Sequence, residues 1–134
     1  MEKCSLLRGD GKRTCRTCGG RLTRGRKLSC SNVCAGRWAA NHAWKAARLA
    51  ALERDGLVCQ LCGLSTLEPE VDHIVPVGRA GYTHGCQHHQ SNLRTLCPPC
   101  HRAEHQFKRE AARVLAASGR VFHVKQLALP GIAA

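Results

Sequence analysis

Eight of the ten cysteines in this chain fall into four close pairs: Cys15 with Cys18, Cys30 with Cys34, Cys59 with Cys62, and Cys97 with Cys100. Two thiols at such spacing sit on one tight turn and can aim at a single tetrahedral ion. Cys15 and Cys18 are followed by Gly19 and Gly20, and Cys62 by Gly63, residues that tolerate the positive φ closing a turn of this kind. One Cys-x-x-Cys alone also suits redox chemistry, but four pairs without a thioredoxin-like βαβ context point to metal. The economical partition is two closed sites, Cys15/Cys18/Cys30/Cys34 and Cys59/Cys62/Cys97/Cys100, each expected to hold a structural zinc ion. Residues 1–11 are polar and lack the apolar core of a signal peptide, so the expected location is a reducing cytoplasm, where disulfides are rare. Cys4 and Cys86 are left over. Cys86 stands near His84, His88 and His89, a set that suits either a further metal site or a loop with a free thiol, and the loop is the expectation.

An ion is what a chain of this composition needs. Only 4% of the 134 residues are aromatic, so the apolar core is thin, and small domains with thin cores need staples. The net charge of +12 favours a polyanionic partner, because each cation set on a phosphate releases condensed counterions. No apolar run approaches the roughly 18 residues of a membrane span and no amphipathic segment has a strong apolar face. DNA, or RNA, is therefore the expected polyanion, with a charge that merely keeps the chain soluble as the plainer reading. The oligomeric state and protein partners are not legible.

Residues 31–54 contain no proline, are rich in Ala, Leu, Arg and Lys, and end at Asp55-Gly56; this predicts one continuous helix, packed by Trp38, Trp44 and Leu52. Glu70 to Pro76 reads as a short β-branched strand with a carboxylate and an imidazole side by side, Asp72 and His73. After Ser91-Asn92-Leu93 and Cys97-Pro98-Pro99-Cys100-His101, a helix is predicted from Pro98 to about 117, stopped by Ser118-Gly119.

The order Asp-His, Asn-Leu, Cys-x-x-Cys-His, interleaved with both pairs of the second quartet, resembles the HNH endonuclease family with its ββα-metal fold, in particular its Cys4 zinc branch. The resemblance covers about 57–108, with His73, Asn92 and His101 as the signature residues. It implies a phosphodiesterase acting on DNA by cleavage or nicking, in a bacterial or phage-infected cell. His73 would be the general base. Asp72 and His101 would hold one catalytic divalent ion (Mg²⁺, Mn²⁺, Ni²⁺ or Zn²⁺), with Asn92 and His105 as further candidate ligands. Adjacent strand residues face opposite ways, so Asp72 and His73 can serve one point only if the strand is distorted or the ion sits at its edge. Asn92 would either orient the base or ligate the ion. Arg94 and Arg102 are candidate phosphate clamps, and Arg21, Arg24 and Arg26 a candidate DNA-binding set in the first cysteine loop. The segment from Pro76 to Asn92, with Gly78, Gly81 and Gly85, is longer than the family minimum.

The expected architecture is therefore α+β: a Cys4 ribbon over 1–36, a connecting helix over 37–56, an HNH module over 57–119 and a tail over 120–134, from which Val121, Phe122 and Val124 would pack back. A zinc-dependent nucleic-acid-binding module without catalysis, or a phage or replication adaptor, is the alternative.

Overall fold

The computed structural model describes residues 4–76 and 86–118. The expectations for Gly78, Gly81, His84, Gly85 and the tail beyond 118 lie outside the described residues. The fold is α+β: helices α1 (Asn32–His42) and α2 (Trp44–Arg54), strand β1 (Glu70–His73), two short 3-10 turns (Cys86–His88 and Gln90–Asn92), strand β2 (Leu93–Leu96) and helix α3 (Pro98–Ser118). β1 and β2 form a two-stranded antiparallel sheet in which Asp72 lies opposite Arg94 and His73 opposite Leu93.

Each cysteine quartet is built the same way. In both, a turn closes with a glycine N–H on the first cysteine's carbonyl: Gly19 to Cys15 at 2.8 Å and Gly63 to Cys59 at 2.9 Å. Both glycines sit at positive φ, 78° and 74°, where a side chain would be strained. An isolated bridge flanks each turn, Thr14 with Arg21 and Val58 with Ser65. The third cysteine then precedes a helix and the fourth lies in its first turn: Cys30 and Cys34 at α1, Cys97 and Cys100 at α3. Ser31 caps α1 by accepting from Cys34 N. Thiolates at a helix N-terminus meet the positive end of its dipole. A local repeat is thus present that the sequence, with different residues around each pair, does not display.

The single helix expected over 31–54 is two. Ala43 is extended (φ −106°, ψ 116°) and serves as C-cap of α1 and N-cap of α2 at once. Nothing in the composition breaks the helix there; the tertiary contacts of the flanking His42 and Trp44 override propensity. The packing expected of Trp38, Trp44 and Leu52 also differs. The buried apolar cluster between α2 and the sheet is Ala47, Ala51 and Leu93, with Val71 against it, whereas Trp44 is 40% exposed. Arg54 and Asp55 tie α2 to β2: Arg54 donates to the carbonyls of Gln90 and Leu93, and Asp55 accepts from Thr95 N at 2.9 Å.

Candidate functional site

The hairpin has two chemically different faces, because side chains alternate along a strand. Val71 and His73 face α2, and Glu70 and Asp72 face α3. On α3, His101, Glu104, His105 and Lys108 follow the i, i+3, i+4, i+7 spacing of one helix face. The meeting of these two surfaces brings ligand atoms of Asp72, His101 and His105 within 4.8 Å of one another. His105 Nε2 is 3.0 Å from His101 Nε2 and 3.8 Å from Asp72 Oδ1.

Asp72 is firmly held. It is 3% exposed, and its Oδ2 accepts from Arg94 Nε and Nη2 at 3.2 and 3.0 Å and from Lys108 Nζ at 3.0 Å. That leaves Oδ1 turned toward the histidines. His101 is anchored in turn: its Nδ1 pairs with the Glu70 carboxylate, the arrangement by which carboxylates orient metal-binding imidazoles and fix which nitrogen carries the lone pair. Its backbone N–H donates to Cys97 O at 2.9 Å, so the turn that carries Cys97 and Cys100 also sets its position. One carboxylate and two imidazoles with room for further ligands form an open donor set suited to a divalent ion.

Beneath the cluster lies a closed group of charges. Arg94 Nη2 is 2.7 Å and Lys108 Nζ 3.5 Å from Glu104 Oε1, and Glu104 is fully buried. Neither Glu104 oxygen receives a directed hydrogen bond; its contacts are of charge alone. Arg94 is itself only 8% exposed. It is therefore no phosphate clamp, as the sequence suggested, but the buried counter-ion of two carboxylates. Arg102 is exposed on α3, as are Arg21, Arg24 and Arg26 in the first cysteine loop.

His73 stands on the other face. Its ring stacks on Trp44 with centroids 5.0 Å apart, and its Nε2 is 3.0 Å from His88 Nδ1. Burial, and then the neighbouring His88, push its imidazole below the usual value, against the opposite pull of Asp72; it is thus biased to the neutral form a base requires. A cleft of about 600 Å³ runs past the free edge of β1 and is lined by Asp72, His73, His101 and His105 together with Trp44, Lys108 and Arg109. The edge strand thus opens both of its faces into one space without distortion. Asn92 is elsewhere. Its Oδ1 accepts from Val75 N at 2.8 Å, and its Nδ2 donates to Val75 O and Gln87 O. The amide is spent on backbone, and it fixes the end of β1 beside His73 rather than joining Asp72, His101 and His105.

Residues 59–107 match the model of the HNH endonuclease family. No curated protein and no solved structure matches the chain. The HNH segment holds the whole second quartet and all of Asp72, His73, Asn92, His101 and His105. Both quartets gather their sulphurs into sets that could hold an ion: Cys18 and Cys34 each lie 3.6 Å from Cys30, and Cys62 3.8 Å from Cys97. Burial opposes ionisation of Cys15, but N–H groups of Cys18, Cys30 and Thr17 aimed at its sulphur bring it down to about 6. The adjoining sulphurs of Cys34 and Cys18 push Cys30 up to about 12. Four sulphurs so close together could hold a central cation, and this donor set is compatible with zinc.

Glu104 and Lys108 escaped the sequence reading, and Glu70, Trp44 and His88 were read there in other roles: a strand start, a packing residue and a neighbour of Cys86. Glu70 was within reach, two residues before Asp72 on the same strand face, and Glu104 and Lys108 lie on the helix face of His101. Nothing local places Trp44 or His88 beside His73.

Proposed function

We propose that this protein is a metal-dependent endonuclease that hydrolyses phosphodiester bonds in DNA. The observation that carries the reading is the convergence of Asp72, His101 and His105 on one side of an edge strand whose other side presents His73 to the same cleft. His73 takes the proton of the attacking water; Trp44 and His88 hold its ring. When bound, a divalent ion at Asp72, His101 and His105 supplies Lewis-acid stabilisation of charge on the phosphate and the leaving oxygen. Glu70 orients His101, Arg94 and Lys108 fix Asp72, and Asn92 holds the strand end. Arg102 and Arg109, exposed along α3, and Arg21, Arg24 and Arg26 bear on backbone phosphates, contacts that confer affinity without sequence information. Both cysteine quartets hold structural zinc.

The test is divalent-ion-dependent nicking of supercoiled plasmid. His73→Ala is expected to lower the rate by about 10²–10⁴-fold, the usual worth of a general base, with divalent-ion binding retained. His101→Ala and Asp72→Ala weaken ion binding. Full cleavage by His73→Ala overturns the mechanism, and metal-independent binding without nicking by the intact chain would leave a nucleic-acid-binding module instead.

A further inference from the structure

The two cysteines left over by the quartets are not apart from one another. Cys4, at the start of the described chain, and Cys86, in the turn before β2, meet His42 and His89, with one ligand atom from each within 4.8 Å of all the others. The four come from three separate segments; the contacts of Cys4 with His42 and His89 span 38 and 85 residues, and that of His42 with His89 spans 47. Cys4 Sγ is 3.3 Å from His42 Nε2 and 3.4 Å from His89 Nε2, and the two Nε2 atoms are 3.1 Å apart. Around a tetrahedral zinc, with bonds of about 2.3 Å to sulphur and about 2.0–2.1 Å to nitrogen, such donors stand roughly 3.3–3.8 Å apart.

We infer that these residues form a third structural metal site, of Cys2His2 type, that takes zinc. The orientation of His42 supports it most. Its Nδ1 is 2.9 Å from Trp38 O, an atom that can only accept, so Nδ1 carries the proton and Nε2 presents its lone pair to the cluster. The ring is also stacked on Trp38 with centroids 3.7 Å apart, and the Arg16 guanidinium lies over that indole. His42 is thus aimed from outside the cluster, as a ligand is and as a free surface histidine is not. The site explains the break at Ala43: an uninterrupted helix has no reason to stop at His42, whereas a ligand there does. It also staples the turn 86–89, whose His88 meets His73, to α1 and to the N-terminal segment. This inference does not rest on catalysis.

Metal content decides it. The full chain carrying His101→Ala and His105→Ala, exposed or half-exposed side chains outside all three sites, is purified without chelator. About three zinc ions per chain are expected, and X-ray absorption at the zinc edge should show imidazole nitrogen beside a majority of sulphur. Adding Cys4→Ser and Cys86→Ser should remove about one equivalent and the imidazole signal, while adding His88→Ala removes neither. A zinc content of two, an all-sulphur spectrum, or a mass lower by two hydrogens from a Cys4–Cys86 disulfide each overturns the inference. Should the double serine variant fail to fold, the zinc count and the nitrogen signal of the parent chain still decide.

Discussion

Glu104→Gln isolates the energetic role of the buried charges beneath the candidate site. Asp72 and Glu104 face Arg94 and Lys108, so the formal charges cancel, and Glu104 is fully buried at 0% exposure. Glutamine keeps the shape of the side chain. Because neither Glu104 oxygen receives a directed hydrogen bond, the substitution removes charge and almost nothing else. At an effective dielectric of about 20, an ion pair at the 2.7 Å separation from Arg94 has a Coulomb energy of about 6 kcal/mol, most of it offset by desolvation. What remains on deletion is the cost of one unbalanced buried cation, about 3–5 kcal/mol. Against a typical total of about 5–15 kcal/mol, that is a large fraction. Urea unfolding followed by circular dichroism in zinc-replete buffer measures it. Arg94→Met should cost a similar amount by leaving two carboxylates to share Lys108, yet the double variant restores neutrality between Asp72 and Lys108. It is therefore expected to be at least about 2 kcal/mol more stable than additivity allows. A loss below about 1 kcal/mol for Glu104→Gln, or strictly additive losses, refutes the reasoning.

Three further outcomes are expected. Replacing Arg21, Arg24 and Arg26 together by alanine should flatten the log–log salt dependence of DNA binding by roughly two to three units, at about 0.9 per phosphate neutralised; an unchanged slope in titrations at several salt concentrations removes the first cysteine loop from the DNA surface. Cys59→Ser should abolish folding of the HNH segment, because zinc affinity there is largely folding free energy, while Cys15→Ser spares its hydrogen-exchange protection. Burial opposes ionisation of Asp55, but hydrogen bonds from Arg54 and Thr95 win and hold it below 3.8. Asp55→Asn should therefore cost about 1–3 kcal/mol at neutral pH. A lowered carboxyl stabilises above its unfolded value, so the gap between the variant and the parent should close as pH falls below about 3.8; a gap that persists in acid contradicts this.

What was legible in the sequence was what is local. The quartets announce themselves because each pair lies within one turn, and Asp72, His73 and His101 because strand and helix starts sit beside those turns. The break at Ala43 was hidden, since every residue near it favours a helix and the cause lies in what His42 and Trp44 touch. Arg94 read as a surface cation because its two carboxylate partners come one from across the hairpin and one from α3. The third cluster was least visible: Cys86 and His89 lie close in sequence, whereas His42 and Cys4 reach them only through the fold.

The apolar cluster of Ala47, Ala51 and Leu93 has a thermal consequence. The heat-capacity change of unfolding comes mainly from newly hydrated apolar surface, and alanines expose little of it. The stability curve should accordingly be shallow, with neither a steep loss on warming nor an accessible cold transition. With zinc in the cysteine quartets, as proposed, free metal concentration takes the place of temperature as the governing variable. Each tenfold fall in free zinc removes about 1.4 kcal/mol per ion released on unfolding, so this protein is expected to melt in a chelator long before it melts in a warm buffer.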